Sequence, residues 1–152
     1  DYLIRISSLA INEKEHQHVA SLLQIVSDIE RISDYCENIS EYAENLANQK
    51  KKFSGVGAAE MKEMLEVCSD SFTYAVEAFE ENSAEKALKV IEKERSADDL
   101  EIRLRADHMQ RLANKQCDTE AGIVFLDALV GLERISDHSR NIAEEVLSAS
   151  NK

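Results

Sequence analysis

The sequence contains no proline, no tryptophan, four glycines and only eight aromatic residues (four Tyr, four Phe) in 152 positions. Sandwiches and barrels take Gly and Pro for their turns and aromatic or β-branched residues for their strands, so neither suits this chain. Cysteine is scarce as well. Cys36, Cys68 and Cys117 are odd in number, far apart and not in C-x-x-C spacing, which argues against a disulfide framework or a zinc knuckle. Each falls on or near an apolar position and reads as a small buried hydrophobe in a reducing cytoplasm. Basic residues are outnumbered 18 to 30, a formal net charge of −12. Phosphate backbones and anionic lipid repel such a chain. No signal peptide is visible. The most apolar run, residues 121–132, is broken by Asp127 and is too short to span a bilayer.

What is present is an apolar fraction of 43%, too high for disorder, in a chain of single-domain size. That length can bury a core without staples. The apolar residues recur at steps of three and four, which marks long amphipathic helices. Five are expected. The first covers residues 1–11. Asn12 with Glu15 forms a capping box for the second, which ends near residue 48. A polar, glycine-containing link covers residues 49–57. The third helix spans 58–81, and Asn82 or Ser83 caps the fourth, which reaches about residue 114. Asp118 or Thr119 caps the fifth, which runs nearly to the end.

The expected buried seams are Leu22, Ile25, Ile29, Ile32, Cys36, Ile39, Ala43 and Leu46 on the second helix, and Met61, Leu65, Cys68, Phe72, Ala75 and Phe79 on the third. The fourth helix reads Ala84, Leu88, Ile91, Arg95, Asp98, Ile102, Ala106, Met109, Ala113, and the fifth Phe125, Ala128, Leu132, Ile135, Ser139, Ile142, Val146, Ala149. Short links make neighbours antiparallel, so the expected architecture is an elongated all-α bundle. The chain opens on Asp1 rather than Met, within helical sequence, and reads as a fragment of a larger protein.

The pentapeptide Glu30-Arg31-Ile32-Ser33-Asp34 recurs as Glu133-Arg134-Ile135-Ser136-Asp137, with Asn38, Ile39 and Glu41 matched by Asn141, Ile142 and Glu144. Identity embedded in matching periodicity implies two related halves, each closing on a long helix. In each half Glu, Asp and Asn stand at i, i+4 and i+8, on one helix face. Two stacked carboxylates repel unless a cation intervenes; a solvated polar face is the blander alternative. On the fourth helix Glu94 and Asp98 repeat the same spacing, and Arg95 and Asp98 both interrupt the expected apolar row. Counting outwards from the hairpin near Cys117 sets Asp98 opposite Ser136, within a turn of Glu133 and Asp137. In the first half the same count sets Asp1 opposite Asp28, within a turn of Glu30. Such oxygen donors suit Mg²⁺, Ca²⁺, Mn²⁺ or iron.

Histidine adds little. His16 and His18 read as solvated, His108 as a surface pair with Asp107, and His138 as an outside candidate for a metal site. A ferritin-type centre uses Glu-x-x-His on two helices, and Glu15 to His18 has that spacing in the wrong place. No nucleotide-binding or nucleophile motif appears.

The two long-helix motifs, residues 28–39 and 132–142, together with Ile91-Glu92-Lys93-Glu94-Arg95-Ser96-Ala97-Asp98-Asp99-Leu100, resemble the PhoU family over nearly the whole chain. The resemblance implies one domain over residues 1–152. Its two three-helix repeats would be a partial first repeat at 1–48 without its opening helix, and a second at 58–152 beyond the 49–57 link. It implies a non-catalytic role in phosphate transport or signalling, and divalent or iron ions, in a multinuclear cluster, on Glu30, Asp34, Glu94, Asp98, Glu133, Asp137 and Asp1. It also implies a membrane phosphate transporter or an upstream transmembrane region of the same chain as partner, a sensor kinase as a further partner, a homodimer, no nucleic acid, and a cytoplasmic site, at the inner face of the membrane. The motif spelling is most similar to the cytoplasmic tail of a bacterial Na⁺/phosphate cotransporter, although the family's usual Gly after E-R-I is Ser in both copies. The competing expectations are a purely protein-interacting bundle, a carboxylate-bridged di-iron enzyme, and a phosphotransfer bundle with His108 or His138 as acceptor.

Overall fold

The computed structural model describes residues 2–7 and 12–150. It holds five helices, α1 (Tyr2–Ser7), α2 (Glu13–Asn48), α3 (Gly55–Glu81), α4 (Ala84–Ala113) and α5 (Thr119–Ser150), and no strand among the described residues. Asp1 and residues 8–11 lie outside the described residues. The starts follow the sequence signals except that of α3, which begins at Gly55 inside the expected 49–57 link because Ser54 supplies a cap there. Asn12 Oδ1 accepts from the Glu15 amide at 3.0 Å while Glu15 Oε2 accepts from the Asn12 amide at 2.8 Å. Ser54 caps α3, Ser83 caps α4 and Asp118 Oδ1 accepts from the Ala121 amide at the start of α5. The three long-helix ends share one solution. Lys50, Asn82 and Lys115 adopt positive φ of 54°, 48° and 55°. The next amide then returns to the carbonyl five residues back, at 2.9 Å in each case.

α5 lies at the centre and packs against α2, α3 and α4, whereas α2 packs only on α5 and α1 among the described residues. Small residues let three neighbours approach α5. A Cβ on Gly131 would come within 3.3 Å of Ile39 on α2, and one on Gly122 within 2.7 Å of Leu112 Cδ2 and 2.9 Å of His108 Nε2 on α4. Toward α3, the buried Ser136 donates to Ser71 Oγ at 3.2 Å. The largest fully buried side chain, Phe125, sits at the hairpin end, with His108 stacked on it at 4.3 Å between ring centroids.

The α5 seam is buried as expected except for Ala149. The others are rotated. α4 buries Ala87, Val90, Glu94, Ala97, Leu100, Leu104 and His108, and leaves Leu88, Ile102 and Met109 exposed. α3 turns Met64, Cys68, Ser71, Ala75 and Ala78 inward, with Leu65 and Phe79 exposed. α2 buries Ile25, Asp28 and Ile32, so Ile29 and Cys36 face solvent. In α3 and α4 alanines at the contacts permit close helix approach, and larger side chains one position away are left outside. Burial pushes the Cys68 thiol up to about 12, which keeps it an inert core group.

Two consequences are measurable. Leu132→Asp puts an unpaired charge in the core and should abolish cooperative folding, whereas Ile29→Asp should cost no more than about 1 kcal/mol, because that side chain is 47% exposed. Gly122→Ala gains about 1 kcal/mol of helix propensity. It overpacks the His108 stack by about 1–3 kcal/mol. Thermal denaturation should therefore show a lower Tm, by about 2–4 °C per kcal/mol of net loss.

Candidate metal centre

Glu94 and Asp98 stand one turn apart on α4, and Asp137 faces them from the middle of α5. One carboxylate oxygen from each lies within 4.8 Å of the others. Glu94 is 3% exposed, its Oε1 accepts from Arg140 Nη1 at 2.8 Å, and its buried Oε2 makes no hydrogen bond. Arg140 also donates through Nε to Glu144 Oε1 at 2.8 Å, and Arg134 Nη1 donates to Asp137 Oδ2 at 3.1 Å. Glu133 is partly buried beside this group. The charges of Asp137 and Asp98 act on it, and its own charge acts on Cys68 of α3.

Burial, then the charges of Glu94 and Asp137, raise Asp98 above the usual carboxylate range. Burial, then Asp137, does the same for Glu133. Both shifts say that burial, together with the neighbouring carboxylates, disfavours negative charge here. An oxygen-only donor set with a buried, unbonded carboxylate oxygen at its edge fits a hard divalent cation or iron.

The remaining candidates are placed differently. Glu30 and Asp34 are exposed on α2, where Asp34 pairs with Arg31 at 3.7 Å, and among the described residues they join no cluster of three potential ligands. Asp1 lies outside the described residues. Asn38 is exposed, and Asn141 hydrogen-bonds elsewhere, donating to Asp28 Oδ1 at 3.0 Å.

That second polar centre joins α2 to α5 and escaped the sequence reading. Asp28 is 2% exposed, and its Oδ1 also pairs with His138 Nδ1 at 2.7 Å while Gln24 donates to Oδ2 at 3.0 Å. Its position three residues after Ile25 and four before Ile32 was the available signal. His138 thus serves the helix interface and does not belong to the carboxylate group. His108 is not a surface pair with Asp107. It is 4% exposed, stacked on Phe125, with Arg111 Nη2 3.3 Å from its Nδ1. Burial, then Arg111, lowers its pKa, and a ring so enclosed is no acceptor for a kinase. Arg140, bonded to both Glu94 and Glu144, was likewise unforeseen.

Fold and site together define an all-α bundle that gathers acidic side chains between two long helices. The chain matches the PhoU domain over residues 1–43 and 61–146, and belongs to that family. It is 29% identical over 138 residues to the phosphate-specific transport system accessory protein PhoU homolog 1 of Thermotoga maritima, covering 88% of this chain and 57% of that protein. The chain thus spans little more than half the length of this relative. The crystal structure of PhoU from Pseudomonas aeruginosa superposes with a TM-score of 0.89 at 24% identity, over 98% of this chain and 71% of that one. The shared architecture is the PhoU helical bundle. No described helix is long and apolar enough to cross a membrane.

The raised carboxyls fix a sign for pH dependence. A carboxyl with a raised folded pKa contributes fully below its unfolded value, near pH 4, and that contribution is lost as pH rises through the folded value. In chelator-treated protein, Asp98→Asn should therefore be more stable than wild type at pH 7, with the gap closing as pH falls toward 4. His108 titrates in the opposite sense, losing stability below about pH 6.5, but cancels because both proteins carry it. Urea midpoints across this range test the expectation; a gap independent of pH would refute it.

Proposed function

We propose that this domain is a non-catalytic regulatory module of phosphate transport or phosphate signalling, whose conformation is tied to a divalent or iron ion held by Glu94, Asp98 and Asp137. The observation that carries the metal assignment is the convergence of these three acids around a buried carboxylate oxygen that has no hydrogen-bond partner. Glu133 is a supporting acid. A bound ion would offset repulsion between α4 and α5 and stiffen their contact, which is a regulatory role and not a reaction. Among the described residues no nucleophile paired with a base stands beside the group, and the Glu-x-x-His spacing that a di-iron enzyme uses on two helices occurs at the start of α2 alone. Family membership and the printed role of the Thermotoga maritima relative, an accessory protein of phosphate-specific transport, support the transport assignment. The same reading gives a phosphate transporter as partner. The motif spelling of residues 28–39 and 132–142 favours the cytoplasmic tail of a Na⁺/phosphate cotransporter. For Glu30, Asp34 and Asp1 the proposal is a weaker first-half site.

Binding to the folded state alone stabilises it by mass action, about 2.7 kcal/mol when free metal is a hundred times Kd. Mn²⁺ or Fe²⁺ should therefore raise the Tm of wild type and leave the double variant Asp98→Asn/Asp137→Asn unmoved, with that variant's metal-free fold intact. Equal shifts and equal metal content in the two proteins would reduce the acids to a solvated patch.

A further inference from the structure

We propose that Arg140 is an internal cation occupying the carboxylate group, and that a metal ion enters by displacing its guanidinium from Glu94 onto Glu144. The inference rests on the metal reading above and adds the step that gates it.

Arg140 makes two charge-assisted hydrogen bonds, to Glu94 Oε1 and to Glu144 Oε1, each 2.8 Å. The partners are unequal in burial. The Glu94 side chain is 4% exposed and the Glu144 side chain 51%, while Arg140 itself is 41% exposed. Glu94 lies within the buried group, and Glu144 stands one turn further along α5, on the solvent side. The guanidinium is therefore half engaged with the cluster and half with an outer acceptor that can keep it when Glu94 turns to a metal. The cavity of about 410 Å³ bounded by Glu94, Asp137, Arg140 and Glu144 gives the side chain room to move.

The charge balance supports the exchange. With Arg140 in place Glu94 is paired through one oxygen, and its other oxygen has no partner. A compact divalent ion can satisfy several carboxylates at once, whereas a guanidinium reaching in from the edge cannot. A monovalent ion lacks the charge to replace Arg140 and offset Asp98 and Asp137 as well, so the device selects for higher charge. It is confined to one half. Glu133 lies 103 positions after Glu30, and the same offset carries Arg140 to Glu37, an acid.

Mn²⁺ binding, measured by calorimetry and by Tm shift, tests the proposal on the whole chain. Releasing a charge-assisted hydrogen bond costs about 1.5–3 kcal/mol, so Arg140→Gln should tighten Mn²⁺ binding about tenfold to a hundredfold. Arg140→Lys, which keeps the charge without the fork, should fall between it and wild type. Arg103→Gln removes an equal charge from α4, where Arg103 pairs with Glu63, and should leave binding unchanged. In wild type the ¹⁵Nε resonance of Arg140 should shift as Mg²⁺, a diamagnetic probe, is added. Binding to wild type with no gain in Arg140→Gln, or an Arg140 resonance indifferent to Mg²⁺, would overturn the exchange and leave the metal site standing. Absence of Mn²⁺ binding in wild type and in every variant would overturn both.

Discussion

The structure depends on the burial of α5 on three sides. A helix enclosed by three others must offer each a surface close enough for dispersion contacts at interior density. α5 does so with small residues placed around its circumference, Gly131 toward α2, Gly122 toward α4 and Ser136 toward α3. Between them stand Phe125, Leu129, Leu132, Ile135, Ile142 and Val146, which supply the apolar area. The two serines satisfy each other across α3 and α5, so close approach brings no orphaned hydroxyl.

The same enclosure creates the site. Because α4 and α5 are drawn together, the row that buries Val90 and Ala97 also buries Glu94, and its neighbours Asp98 and Asp137 come within reach of it. Burying a carboxylate among other carboxylates costs free energy that arginines recover only in part. Where α2 meets α5, Asp28 is buried too, but there Gln24, His138 and Asn141 meet its oxygens. The contrast separates an interface polar centre, satisfied from within the fold, from a site left open to a ligand.

Much of this was legible in the residues. Helix number, the caps at Asn12, Ser83 and Asp118, the α5 seam and the meeting of Glu94, Asp98 and Asp137 all follow from local patterning and a hairpin count. The faces of α2, α3 and α4 did not. In α4, Leu88, Ile102 and Met109 draw an apolar stripe one position away from the buried one at Ala87, Val90 and Leu104. Hydrophobicity favours the larger side chains, and packing chose the smaller ones. Asp28 and Arg140 escaped for another reason. Asp28 and His138 lie 110 positions apart, and Arg140 meets Glu94 from 46 positions away. Such pairings depend on tertiary placement that periodicity does not encode.

The attachment of α2 has a dynamic consequence. α3, α4 and α5 each touch the other two, whereas among the described residues α2 is held by α5 and the short α1 alone. Its release would expose one interface and leave a closed three-helix unit behind. Free energies of local opening follow the number of interfaces broken. Amide hydrogen exchange should therefore find α2 opening as a unit at a lower free energy than the core of α5. Equal protection across the two helices would instead describe one cooperative body. Linkage makes the same asymmetry a route for signals, because a partner that grips the exposed Val26 and Ile29 flank of α2 would bias an opening in which α4, with Glu94 and Asp98, takes no part.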